Sequence, residues 1–504
     1  MQRQIKIFDT TLRDGEQTPG VNLNVKEKVM IAKSLEAMNV DVIEGGFPIA
    51  SVGDFEAVKA IAMEIKNSTV AGLARANKKD IDRAWEAVQY AKKPRIHTFI
   101  ATSSIHMKYK LKMTEEEVCN KAVEMVKYAK SLCDDIEFSA EDAYRSDKDF
   151  VCQVFSKVIE AGATTLNIPD TVGYALPHEF YEFVKYIIEN TVGIDKVDVS
   201  VHCHNDLGMA VANSIAGVQA GATQIECSMN GLGERAGNAA LEEVVMALRI
   251  KKDIYNTDTN IISENIYRAS KLVSSLSGID VQPNKAVVGA NAFAHESGIH
   301  QDGVLKEKTT YEIMTPESVG IIQESNIVLG KHSGKHAFSN TLKEMGIELN
   351  DEDLQDAFVK FKALTDKKKN VTMRDIEAII NYKKYFKEVY KLKSFQLNSG
   401  NKMICTASVV IEGNNQELVE VAIGDGSIDA VFKAVERATG INVELRDYSI
   451  RSVTDGKDAL GEVTVKIASN TGGVIVGKAI DEDVMEASIN AFINAINKKL
   501  DTEE

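Results

Sequence analysis

The sequence predicts a (β/α)8 barrel, the TIM architecture, followed by a helical linker and a C-terminal α+β domain of two βββα units. Three observations predict the barrel. Short apolar runs alternate with longer helical patterns across residues 1–270, eight runs of strand character can be counted, and the chemically informative polar residues fall at the C-terminal ends of those runs. An open doubly wound sheet fits less well, because no glycine-rich dinucleotide loop follows the first run.

In chain order the runs are Ile5–Asp9, Val40–Gly45, Thr69–Ala74, Arg95–Ala101, Asp135–Ser139, Thr165–Asp170, Val197–His202 and Gln224–Met229. Amphipathic stretches lie between them. Val25–Met38 counts Val29, Ala32, Leu35 and Ala37 among its apolar positions, and Glu115–Leu132 is another. The stretches Glu160–Thr165 and Gln219–Gln224 both contain Ala-Gly-Ala-Thr, which reads as a helix end leading into a strand.

Residues 271–390 change texture to helices and loops, and we read them as linker subdomains that complete the active site. Val287–Gly303 is rich in Gly, Ala and His, and Asp366–Asn370 is a charge run of the kind found in solvated turns. Gly330–His336 lacks the glycine spacing of a phosphate loop and reads as a helix start capped by Ser333. Residues 391–504 carry a weak internal duplication. Ser394–Gly413 and Glu417–Ile423 read as strands before the helix Ile428–Thr439. Val443–Ser452, Gly461–Ala468 and Gly473–Ala479 repeat the pattern before the helix Val484–Lys499. No cluster of catalytic residue types occurs here, which favours a regulatory, ligand-binding domain.

The composition, 44% hydrophobic and 26% charged over 504 residues, is that of a soluble globular protein. A net charge of −15 without a long basic tract excludes nucleic acid as a partner. Met1–Ile5 leads directly into the first strand, so we expect no signal peptide, and no apolar run approaches the roughly 20 residues that span a bilayer. Six scattered cysteines without a C-x-x-C pair point to reduced thiols and a cytoplasmic location.

The sharpest local feature is Val199-Ser200-Val201-His202-Cys203-His204-Asn205-Asp206. Residues i and i+2 of a strand share a face, so His202 and His204 aim at one point while Cys203 turns away. An isolated H-x-H is weak, since a strand histidine is more often a packed, hydrogen-bonded one. Asp14 at the end of another run strengthens it, and Asn230–Asn238 after the eighth run supplies Asn238 as a fourth ligand. A mixed N/O shell with open positions suits catalytic Mn²⁺, Mg²⁺ or Zn²⁺.

Asp9-Thr10-Thr11-Leu12-Arg13-Asp14-Gly15-Glu16-Gln17, His202–Asp206 and Asn230–Asn238 together resemble the family that joins acetyl-CoA to 2-oxo acids, which includes 2-isopropylmalate, homocitrate and citramalate synthases. Glu44-Gly45-Gly46-Phe47-Pro48 and Ile96–Ser103 resemble the 2-isopropylmalate branch in particular. The resemblance covers nearly the whole chain. It implies a Mn²⁺-type divalent site, acetyl-CoA as co-substrate, 3-methyl-2-oxobutanoate as acceptor, leucine as effector near Gly424–Gly426 and Ala479–Asp481, and a homodimer whose linker reaches over the partner's barrel.

The resemblance also implies residue roles. Arg13 would stabilise the negative charge of the condensation, its plainer alternative being a structural ion pair. Thr171 would grip the substrate carboxylate, with His97 and Ser139 as pocket walls. Glu141 would lie beside the reacting centre, His300 would be the base with His295 as competitor, and Tyr311 would be a second linker contribution. The Gly231–Gly237 loop either accommodates CoA or is a tight turn that positions Asn238. Citramalate synthase acting on pyruvate, a metal-dependent lyase or carboxyltransferase on the same barrel, and a non-enzymatic amino-acid sensor are the alternatives.

Overall fold

The computed structural model describes residues 2–294, 300, 303, 307–321, 333–344, 349–365, 376, 379–380, 389–413, 416–452, 461–469 and 474–503. They fall into two units, Met1–Ala292 with Ile313–Ile321, and Phe293–Glu312 with Ile322–Glu504.

The first unit is the barrel. Its strands are β1 (Arg3–Asp9), β2 (Val42–Glu44), β3 (Thr69–Arg75), β4 (Pro94–Ala101), β5 (Ile136–Glu141), β6 (Thr165–Asp170), β7 (Asp198–Cys203) and β8 (Gln224–Cys227). Each pairs in parallel with the next, and β1 pairs with both β8 and β2, which closes the ring. All eight expected runs are therefore strands. A ninth, β9 (Thr257–Thr259), extends the start of β1 at Arg3–Ile5 and has no counterpart in the sequence reading.

One face of each strand packs outward on helices, where Ile5, Ile7, Ile96, Leu166, Val201 and Ile225 are fully buried. That burial drives closure. The interior beneath the mouth is polar. Arg95 reaches Glu137 at 2.9 Å, and Gln224 donates to Glu137 Oε1 at 2.8 Å and to Ser200 Oγ at 3.0 Å. Burial pushes the Glu137 carboxyl up to about 7 against the pull of Arg95.

Capping sets the helix starts. Asn24 and Glu27 form a reciprocal box at the start of Val25–Ala37, and Thr114 and Glu117 do so for Glu115–Lys130. The two Ala-Gly-Ala-Thr stretches do end helices, Lys148–Ala161 and Ala210–Ala220. The buried stripe of Val25–Ala37 is Lys28, Ile31, Ala32 and Leu35, whereas Ala37 is exposed. Lys28 enters the core because its ammonium meets Glu16 and, at 3.0 Å, Asp54.

In the second unit, β10 (Tyr390–Asn398), β11 (Cys405–Gly413) and β12 (Gln416–Gly424) form an antiparallel sheet followed by the helix Ser427–Thr439. Strands β13 (Leu445–Ser452), β14 (Gly461–Ala468) and β15 (Val474–Asp481) repeat the arrangement before the helix Val484–Glu503. The expected strand Ser394–Gly413 is two strands, because Ser399-Gly400-Asn401-Lys402 offers turn formers and no apolar alternation. Both halves share one core, in which Phe432 and Phe492 stack with centroids 4.1 Å apart. The helices Lys335–Glu344 and Asp351–Thr365 hold a separate core around Phe338 and Phe361. The charge run 366–370 lies outside the described residues. No helix among the described residues is long and apolar enough to cross a membrane.

Candidate metal centre and active site

The site is assembled at the C-terminal ends of the barrel strands. After β1 the chain turns sharply, and buried Asp9 holds the turn by accepting from the Thr11 backbone N–H at 2.9 Å and the Thr11 hydroxyl at 2.8 Å. This presents Arg13 and Asp14 to the mouth. On β7 the alternation Ser200, His202, His204 brings both imidazoles inward, and Cys203 faces the wall, where burial pushes its thiol up.

Asp14, His202 and His204 converge. The two Nε2 atoms are 3.2 Å apart, and each lies 3.9 Å from Asp14 Oδ2. A circle through those three atoms has a radius of about 2.1 Å, an ordinary metal–ligand length for N/O donors. Among the described residues this is the one group of three or more His, Cys, Asp or Glu placed to share an ion.

The donor chemistry fits too. Burial lowers both imidazoles to about 4, so they are neutral with a lone pair to offer at neutral pH. Burial opposes ionisation of Asp14, but Arg13 and the two histidines outweigh it and hold the carboxyl well below the usual range. Asn238 pairs with His204 in an isolated β-bridge, and its buried Oδ1 has no hydrogen-bond partner among the described residues. That orphaned oxygen is what a fourth ligand would present. The residues present fit a divalent cation.

A second chain of contacts crosses the mouth. Arg13 pairs through Nη1 with Asp14 and through Nε with Glu44, each at 2.6 Å. Glu44 Oε1 meets His97 Nδ1 at 2.8 Å, His97 Nε2 meets Ser139 Oγ at 2.6 Å, and Asn167 donates to the same hydroxyl at 2.9 Å. Burial disfavours a charged His97, yet Glu44 holds its pKa above the ordinary value.

These groups border a cavity of about 260 Å³, lined also by Phe47, Leu73, Phe99, Glu141, Pro169 and Thr171. Thr171 Oγ1 accepts the Asp142 backbone N–H at 2.9 Å, which leaves the hydroxyl proton to donate elsewhere. Glu141 is held by Lys110 at 2.6 Å.

The barrel residues expected from sequence thus gather around one cavity: Arg13, Asp14, His97, Ser139, Glu141, Thr171, His202 and His204, with Asn238 beside them. His300 and Tyr311 belong to the second unit, where their rings lie 4.3 Å apart. His295 lies outside the described residues.

Sequence reasoning missed Glu44 as a partner, and it missed Lys110 and Glu226. Glu226 is opposite His202 in the β7–β8 register, and its Oε2 is 2.9 Å from His202 Nδ1. The two atoms are in ion-pair contact without hydrogen-bond alignment, and a carboxylate this close acts electrostatically on an imidazole that is a candidate ligand. Glu226→Leu is accordingly expected to weaken divalent-metal affinity about 10–100-fold without unfolding the barrel. Competition against a chelating dye measures this, and unchanged affinity would refute the electrostatic role.

Comparison with known proteins gives the family. Residues 4–273 match the HMGL-like model, residues 287–369 the homocitrate synthase post-HMGL domain-like model, and residues 370–500 the LeuA allosteric (dimerisation) domain. A 2-isopropylmalate synthase of Ruminiclostridium cellulolyticum is 62% identical over 99% of this chain and 98% of its own length. The chain belongs to the 2-isopropylmalate synthase family. The Pyrococcus furiosus member is 57% identical over 99% of each chain, and that of Pelotomaculum thermopropionicum 58% identical over the same shares. Members of this family are acyltransferases, and the match includes the allosteric domain as well as the barrel.

Proposed function

We propose that this chain is a 2-isopropylmalate synthase. In this reading it condenses acetyl-CoA with 3-methyl-2-oxobutanoate and water to give 2-isopropylmalate and CoA. The observation that carries the reading is the Asp14–His202–His204 triangle next to the half-buried, doubly paired Arg13 in one cavity, within a chain that matches family members from end to end.

Asp14, His202 and His204, with Asn238, would hold the divalent ion, Mn²⁺ by the family resemblance, and when bound it polarises a ketone. Arg13 spends Nε and Nη1 on its two ion pairs, which fix the guanidinium and leave Nη2 for the negative charge that develops at the former ketone oxygen. Thr171 donates its hydroxyl proton to the acceptor's carboxylate. Phe47, Leu73, Phe99 and Pro169 offer an apolar wall to the branched alkyl group. Each methylene packed there is worth about 1–3 kcal/mol over pyruvate.

A base takes a methyl proton from acetyl-CoA, and we assign this to His300 with Glu141 as relay and Tyr311 assisting. The resulting carbanion attacks the ketone carbon and forms the C–C bond. Water then cleaves the thioester, and CoA leaves as the thiol.

In the second unit a cavity of about 550 Å³ opens at the start of the helix Ser427–Thr439, lined by Gly426, Ile428, Phe432, Leu445 and Phe492. Asp429, Lys433 and Glu436 line it as well, so it offers charged groups to an amino acid's ammonium and carboxylate and apolar groups to a branched side chain, and we assign it leucine as feedback inhibitor. A homodimer acting in the cytoplasm completes the reading.

Thiol release from acetyl-CoA against a panel of 2-oxo acids tests it. We expect release with 3-methyl-2-oxobutanoate, suppressed by leucine. Release with pyruvate alone would overturn the substrate assignment, and no release with any acceptor would overturn the enzymatic one.

A further inference from the structure

Three loops of the barrel mouth, after β6, β7 and β8, are stitched together. The His204 N–H donates to Asp170 O at 3.3 Å, and the Asn205 N–H to Gly237 O at 2.9 Å. The chain after Thr171 runs so close to the next loop that a Cβ on Gly173 would sit 2.5 Å from Asp206 Oδ2 and 2.9 Å from His204 O.

Arg235, from the third loop, locks this junction. Its Nε and Nη2 form a fork on the Asp206 carboxylate at 2.8 and 3.0 Å, and Nη2 also donates to the Thr171 carbonyl at 2.9 Å. The residue sits at φ +59°, a conformation that costs a non-glycine residue energy and persists where surrounding contacts over-determine it. One guanidinium therefore ties the backbone of Thr171 to the segment that begins at His204.

Resting on the reading above, we propose that Arg235 is a positioning residue for the 2-oxo acid. It fixes the distance between the Thr171 hydroxyl and the metal-ligand loop, so that the acceptor's carboxylate and ketone are engaged together. Arg235 itself touches neither. A misplaced Thr171 weakens the acceptor's grip, while acetyl-CoA and the metal keep their own contacts.

The test uses the full chain loaded with Mn²⁺. In Arg235→Met, calorimetric titration is expected to show 3-methyl-2-oxobutanoate binding weakened about 10–100-fold, with KM for that acid rising in parallel. KM for acetyl-CoA and the Mn²⁺ affinity should change little. Added guanidinium should restore part of the loss. Asp206→Asn should add little on top of Arg235→Met, because the two share one interaction. Arg235→Lys keeps the charge without the fork and should show the same selective loss in a folded protein.

Unchanged acid binding in both variants, or equal losses for the acid, acetyl-CoA and Mn²⁺, would overturn the role. If the unaltered protein binds no 2-oxo acid, the substrate reading falls first and this role with it.

Discussion

His204→Ala is expected to lower turnover on the order of 10³-fold or more, because losing the site's hold on the cation forfeits several kcal/mol of charge stabilisation. His204 Nε2 supplies one corner of the three-atom triangle, and without it only His202 and Asp14 keep their 3.9 Å relation. The fold should survive, since β7 remains paired along Asp198–Cys203 and His204 lies just beyond it. The variant should instead lose its thermal stabilisation by added Mn²⁺, which for an intact site reaches about 2.7 kcal/mol at a hundredfold excess over Kd. Scanning calorimetry with and without metal measures this, and a chelator should bring the unaltered protein to the same midpoint. Full turnover in the variant would sink the metal assignment.

Arg13→Lys is expected to cut kcat about 10²–10³-fold with little effect on KM for the 2-oxo acid. The guanidinium uses two nitrogens to bind Asp14 and Glu44, and the residue lines the cavity. A lysine keeps one charge but cannot hold that fork. The buried Glu44 would then rely on His97 alone. Steady-state rates with both substrates separate the possibilities, since a purely structural ion pair would lower stability and leave kcat near its original value.

The eight strands were legible because period-two apolar runs separated by helical patterns are a local signal, readable without knowing what packs on what. The inward aim of His202 and His204 followed from the same alternation, and Asp14 from its place beyond a strand end. Boundaries were less legible. The stretch 394–413 contains a turn at Ser399–Lys402 between two strands, and β9, Thr257-Asp258-Thr259, has no apolar alternation to mark it.

The sequence by itself determined the barrel, the duplicated terminal domain and the side of the strand on which each candidate ligand stands. Tertiary structure decided which of those side chains meet. Glu226 behind His202, Glu44 between Arg13 and His97, and Arg235 across three loops have no local signature, because each pairing joins residues 24 to 64 positions apart through strand register and ring closure. Local alternation tells a residue which way to face. Only closure of the ring determines what it finds there.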